Sequence, residues 1–266
     1  MIRHPSRQLW SIAGQLAAFV LILAAIFWFI AQGAGAMPYR WQWARVLPYL
    51  YHTYEGTLYP GPLLRGLGVT LWISAWAFAV TLAAGLIVAL LAMSPSIVGR
   101  GLARGYVELI RNTPLLVQLY LFYFVLAPIL GIGRDLTGII ALGLFEGAFA
   151  AEIIRAGIAA VPRGQREAGQ SLGLSPWQVQ RFVVLPQALR IVLPPLTSLA
   201  ISLVKHSAIV SAIAIFDLAN EARNIIADTF LTFEIWLTIA AIYLAVTIVM
   251  SALAQLLERR LAAGRH

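Results

Sequence analysis

The sequence predicts an all-α, polytopic membrane protein of about six transmembrane helices, and three observations predict it. Of the 266 residues, 61% are hydrophobic and only 11% charged, whereas soluble domains carry roughly 25% charged residues. Six apolar runs, 9–31, 66–93, 105–130, 136–160, 193–216 and 233–257, reach the length a hydrocarbon core demands, roughly 20 residues. Arginine is scattered at the ends of these runs rather than gathered in one patch. The net charge of +8 therefore reads as loop charge on a membrane protein, and no nucleic-acid partner is expected.

Several chemistries are excluded at once. There is no cysteine, hence no disulfide framework, thiolate metal site or cysteine nucleophile. Lys205 is the sole lysine and does not follow a glycine. A Walker A loop ends in Gly-Lys-Ser/Thr, so the chain does not hydrolyse ATP by that route. No metal and no cofactor is expected.

Orientation follows from the basic residues. With the N-terminus inside, Arg3, Arg7, Arg100, Arg104, Arg163, Arg166, Arg181, Arg190, Arg259, Arg260 and Arg265 fall on the cytoplasmic side. Arg40, Arg45, Arg65, Arg134 and Arg223 fall outside, eleven against five, which puts both termini in the cytoplasm.

Run 9–31 follows a basic start and precedes Ala34-Gly35-Ala36, as in a secretory signal. It is longer than the roughly 7–15 residues of a signal core, so an uncleaved anchor is expected. Residues 37–65 hold Trp41, Trp43, Tyr49, Tyr51, Tyr54 and Tyr59, a density suited to an external element in the headgroup zone. Run 66–93 carries Gly68, Ala75, Ala79, Ala83, Ala84 and Gly85, small residues that let helices approach closely in lipid. In run 105–130, Glu108 and Arg111 stand three apart and are expected to pair, and Pro114 is expected to kink the helix, with Thr113 satisfying freed backbone groups.

Run 136–160 carries Glu152 and Arg155 as a second i,i+3 pair, and Glu146 with no partner within four residues. A lone carboxylate at membrane depth must face protein, water or substrate, so Glu146 is a pathway candidate. Lys205 and His206 interrupt run 193–216. The lysine is expected to anchor an anionic substrate group or to serve as counter-ion to a carboxylate such as Glu146. The polar turn 217–228 separates this run from the last.

The most ordered polar stretch is 161–196. Pro162 suits a first helical position and Gly173 a left-handed exit, and Ser175-Pro176 supplies an N-cap and first position for a second short helix expected to end at Leu185. A folded cytoplasmic element between two spans is a docking surface, with Gly173 and Pro186 at its bends. No internal repeat relates 1–133 to 134–266, whereas large secondary carriers show paired repeats. Six spans without one suit a subunit of a larger pore.

Within this stretch, Glu167-Ala168-Gly169 is followed by Gly173 and then by Val183-x-Leu185-Pro186. The pattern resembles the cytoplasmic signature of permease subunits of ABC importers, with Gly169 for a second alanine and Val183 for isoleucine. Residues 111–118 (RNTPLLVQ), 151–158 (AEIIRAGI), 185–190 (LPQALR) and 202–210 (SLVKHSAIV) are similar to the polar amino acid uptake subfamily. The resemblance spans about 64–260 and implies a type I importer fold in the bacterial cytoplasmic (inner) membrane. It also implies two ATP-binding ABC subunits, a second permease subunit, identical or related, and a periplasmic substrate-binding protein as partners besides membrane lipid. Arg163, Glu167, Ala168, Gly169, Gly173, Leu185 and Pro186 would couple the chain to the ATPase, and Glu146, Lys205 and His206 would lie on the path of a polar or basic amino acid, Lys205 meeting its α-carboxylate and Glu146 its amino group or cationic side chain. Expected domains are 1–65, an additional helix and external aromatic segment; 66–260, the permease domain with its coupling loop 161–195; and the tail 261–266. An ion- or proton-coupled secondary carrier using Glu146, Lys205 and Asp217 as a relay is the alternative. A channel conducting alone is a third.

Overall fold

The computed structural model describes residues 5–36 and 39–263. Two compact units emerge, Met1–Gln42 and Trp43–His266. The first is dominated by α1 (Pro5–Ala36), whose segment Gly14–Gly33 has a mean hydropathy of 2.3. Its large side chains Leu21, Phe27, Trp28 and Phe29 are all exposed, as on a helix made to be solvated by lipid.

The second unit begins with a 3-10 turn (Trp43–Arg45) and α2 (Leu47–Leu50), followed by a hairpin of β1 (Tyr51–Tyr54) and β2 (Thr57–Pro60). The strands pair antiparallel with Tyr51 opposite Pro60 and Tyr54 opposite Thr57. Glu55 and Gly56 both take positive φ, the two-residue turn whose twist matches that of the strands. The aromatic segment is thus partly rooted: Val46, Tyr49 and Leu50 pack with Leu63, Leu218, Ile235 and Ile239, while the hairpin is exposed along its length.

The body is built on α3 (Pro62–Met93) and α7 (Arg134–Ala159). The expected small-residue seam is their contact: a methyl group on Gly85 would meet the Ala150 Cβ at 2.6 Å, so the backbones lie too close for any side chain there. The Thr81 hydroxyl donates across the seam to the Gly143 carbonyl at 3.2 Å. Around it Ile73, Leu119, Leu142, Leu203 and Ile215 form the main core.

The third apolar run is not one kinked span. It is broken into α4 (Ile97–Arg111) and a second arm of α5 (Leu115–Leu121), a π-helical turn (Phe122–Leu126) and α6 (Ala127–Leu130), at 108° to each other. The residue before a proline is pushed out of the helical region, and Pro114 itself sits at ψ 136° as the N-cap of α5. Freed carbonyls are covered as expected by Thr113, which donates to Leu109 O at 2.8 Å. The larger share falls to Gln118, whose amide donates to Ile110 O at 2.9 Å and Thr113 Oγ1 at 2.7 Å. The expected Glu108–Arg111 ion pair is not formed: Asn112 donates to Glu108 Oε2, and Arg111 lies over the Phe149 ring.

After α7 come α8 (Arg163–Ser171), α9 (Pro176–Gln178), a π-helical stretch (Val179–Val184), α10 (Leu185–His206), a 3-10 stretch (Ser207–Ile213), α11 (Leu218–Thr229) and α12 (Thr232–Ala263). Among the described residues five helices are long and apolar enough to cross a membrane, six if the broken pair counts as one span. The six expected runs are therefore present.

Candidate functional site

The stretch 161–196 is ordered from within. α8 ends in a full Schellman arrangement: Leu174 N donates to Gly169 O at 3.2 Å and Gly173 N to Gln170 O at 2.9 Å. Gly173 has φ +79°, which a side chain resists, so the expected left-handed exit is present. Pro162 is the N-cap rather than the first helical residue. Ser175 caps the next helix as expected and closes a capping box with Gln178, whose Oε1 accepts from Ser175 N at 2.8 Å.

The second helix does not stop at Leu185. It runs through the π-helical stretch into α10 without a break. Pro186 offers no N–H and would crowd the carbonyl one turn back, and the wider π turn immediately before it relieves that conflict. Pro186 therefore lies within a continuous rod from Pro176 to His206 rather than at its end.

A small core holds the two arms of the loop together: Ile158, Val161, Val179, Val184 and Ala188, with Leu174 and Val183 against them. Gly169 is buried in the contact, and a methyl group there would stand 3.1 Å from Val179 Cγ2. Glycine in place of alanine thus sets how closely α8 approaches the rod. Gln187 bridges the arms by donating to Gln165 Oε1 at 3.1 Å, and Arg166 donates to Ile158 O at 3.2 Å. Arg163, Glu167, Ala168, Leu185 and Pro186 remain exposed, and with them Leu172 and Trp177. The loop is a rigid, basic and partly apolar surface held from beneath.

Deeper in the body, Glu146 is 1% exposed, and its Oε1 lies 2.5 Å from Nδ1 of His206. The partner of the buried carboxylate is His206, not Lys205. Lys205 is exposed and makes no ion pair or hydrogen bond among the described residues. The 60-residue separation between Glu146 and His206 hid the pair from sequence reasoning. Asp217 is not near this pair in role: its Oδ1 accepts from Asn220 N and caps α11. Burial pushes the Asp217 carboxyl up to about 6, and its Oδ2 has no partner among the described residues.

Sequence reasoning missed a third feature. A cavity of about 380 Å³ opens between α3, α4 and α7 at the end bearing the loop, lined by Arg100, Arg104, Glu108, Arg111, Glu152 and Arg155. The first four stand at helical spacing on one side of α4, while Ile97, Val98, Leu102 and Leu109 are exposed apolar residues of the same helix. A helix with its charges turned to an internal cleft and its apolar residues outward is built for lipid outside and water inside. Tyr106 anchors it to α7 by donating to the Leu144 carbonyl. The expected Glu152–Arg155 pair is present and two-pronged, at 3.1 and 2.9 Å.

Comparison with known proteins places these features. Residues 81–263 match the family model described as binding-protein-dependent transport system inner membrane component. The chain is 37% identical to the glutamine transport system permease protein GlnP of Escherichia coli (strain K12) over 206 residues, covering 75% of this chain and 92% of GlnP. It is 32% identical to the glutamate/aspartate import permease protein GltJ of the same organism over 238 residues, 84% of this chain and 96% of GltJ. A crystal structure of an amino acid ABC transporter with histidines superposes with a TM-score of 0.70 at 41% identity, covering 75% of this chain and 94% of that one. A subunit of the MetNI methionine ABC transporter, at 20% identity and TM-score 0.58, shares the fold. With its charge-lined cleft between spanning helices and its braced loop, the chain belongs to the inner-membrane components of binding-protein-dependent transport systems.

Proposed function

We propose that this chain is the transmembrane subunit of an ATP-driven importer that moves polar amino acids inward across the bacterial cytoplasmic membrane. A periplasmic binding protein delivers the substrate to the outer face. A second permease subunit, identical or related, completes the path, and two ATP-binding subunits dock beneath the pair. Both termini and the loop 161–195 face the cytoplasm. ATP hydrolysis takes place on the separate subunits. The observation that supports this best is the loop: an exposed basic helix, α8, packed through Gly169 on Val179 and Val183 and tied by a Schellman turn to the spanning rod that follows.

In this reading Arg163, Glu167 and Ala168 meet the ATPase, Gly169 and Gly173 shape the element that carries them, and Leu185 and Pro186 pass its displacement into α10. Lys205 is an exposed anchor on the substrate path, and Glu146 and His206 hold each other in its wall. Residues 1–65 supply an additional membrane helix and an external aromatic segment, 66–260 are the permease domain, and 261–266 is a cytoplasmic tail.

The test is co-purification with the ATP-binding subunit, followed by uptake into proteoliposomes supplied with the binding protein. Glu167→Lys, or deletion of 167–173, should abolish co-purification, and uptake should require ATP. Uptake by the chain alone that collapses with a protonophore would establish a secondary carrier instead.

A further inference from the structure

We propose that the cleft between α3, α4 and α7 is a binding site for an α-amino acid with a carboxylate side chain, and that Arg104 is its specificity-determining residue. The proposal rests on the importer reading and adds to it a substrate class. It follows from the charged groups left uncommitted in the cleft.

Four guanidinium groups and two carboxylates line the cavity, and several already have partners. Glu152 and Arg155 neutralise each other through two hydrogen bonds. Arg100 is turned to the preceding loop, donating to Ser94 O at 3.0 Å and Pro95 O at 2.7 Å. Arg104, Arg111 and the Glu108 carboxylate form no ion pair among the described residues, although Arg111 also stands within electrostatic reach of Glu152, and Arg100, held by neutral carbonyls, adds its positive charge to the cleft. Arg111 stacks over Phe149 at 5.3 Å, which leaves its N–H edge open. Glu108 accepts from Asn112 at one oxygen, Oε2, and keeps the other. Arg104 has no hydrogen bond or ion pair among the described residues, although it is exposed into a cavity of about 380 Å³.

Two cations and one anion complement one class of amino acid in full. A dicarboxylic amino acid carries two carboxylates and one ammonium group. A neutral amino acid would leave one guanidinium without an anion. A basic one would set its second cation against the surplus of positive charge, an arrangement that costs affinity. The planar fork of arginine suits a carboxylate. The cavity size is in the range of small-molecule sites, about 300–1,000 Å³. Arg104 stands at the centre of the charged side of α4, four residues from both Arg100 and Glu108, so a substrate reaching across the cleft meets it.

The experiment is equilibrium binding of radiolabelled L-glutamate, L-glutamine and L-arginine to the complex of this chain with its ATP-binding subunit. The binding protein is left out, so that selectivity belongs to the membrane subunit. Glutamate should bind roughly tenfold or more tightly than arginine. Arg104→Glu should weaken glutamate by a similar factor and bring arginine level with it or ahead, and Arg104→Lys should restore most of the preference. Assembly of each variant is checked by co-elution with the ATP-binding subunit, and the selectivity of the unaltered complex needs no variant. Arginine binding as well as or better than glutamate overturns the proposal. So does loss of glutamate binding on Lys205→Gln with none on Arg104→Glu. A complex that binds no amino acid yet drives ATP-dependent uptake overturns the cleft assignment alone. One with neither binding nor, once the binding protein is added back, ATP-dependent uptake overturns the importer reading as well.

Discussion

His206→Leu isolates the cost of leaving a carboxylate alone inside the body. Glu146 is 1% exposed and the His206 imidazole is its hydrogen-bonding partner. Removing one member of a buried pair costs about 3–5 kcal/mol, because the remaining charge has lost its compensation. The His206 side chain is 44% exposed, so water reaches that side of the pair and the lower figure, about 3 kcal/mol, applies. For a domain of this size each kcal/mol moves the melting temperature by about 2–4 °C, so His206→Leu should melt about 6–12 °C early. The assay is intrinsic-fluorescence melting of the purified complex in detergent. Adding Glu146→Gln to His206→Leu should recover most of the loss, since a neutral amide needs a hydrogen bond but no counter-charge. A single variant that melts with the unaltered protein, or a double variant no better than the single, would refute this account of the pair.

Other outcomes follow from the loop, the break and the external turn. Gly169→Leu should destabilise by about 1–3 kcal/mol through overpacking against Val179, and the loss of ATP-binding subunit in pull-downs should exceed that of Gly169→Ala. Gln118→Leu should cost about 1–3 kcal/mol, because the Ile110 carbonyl at the break loses its donor; hydrogen exchange at 110–118 reads it. Burial raises the folded-state pKa of Asp217 from 3.8 to about 6, so the folded state holds a proton that the unfolded state has released. The associated stability is fully present below about pH 4 and is lost as pH rises through about 6. Melting temperature should fall across that window, and Asp217→Asn should flatten the slope.

Where the local signal was complete, the sequence was enough. Gly173 named the Schellman exit and Ser175-Pro176 the second cap, because each depends on residues within one turn. Gln178 completes a capping box three residues on, a signal present in the sequence. Pro114 and Pro186 show the limit. One breaks its helix by 108° and the other is absorbed by a π turn. What separates them is the surroundings: Gln118 and Thr113 take over the carbonyls at the first, whereas the second is flanked by Val184 and Ala188, packed with Ile158 and Val161, and by Val183 against Gly169 of α8. The Glu146–His206 pair joins two helices distant in the chain, and no periodicity marks it. The charged side of α4 was legible at positions 100, 104, 108 and 111 but looks like loop charge until α3 and α7 enclose it.

The broken third segment also constrains how the protein is made. α4 is 15 residues long, about 22 Å, and bears four charges. Its second arm, 115–130, is about 24 Å long, short of the roughly 30 Å a bilayer core requires. Neither arm is a good substrate for insertion by itself: the second is too short, and in α4 each central arginine costs a few kcal/mol in lipid. The charges of α4 find water instead of lipid in a cleft that exists only once α3 and α7 have met. Biogenesis therefore has an order: a frame of α3 and α7 is set first, and the third segment enters late. A ribosome-stalled chain ending before residue 160 should leave the outward apolar residues Val98 and Leu102 of α4 accessible to a water-soluble label, and release of the full chain should protect them.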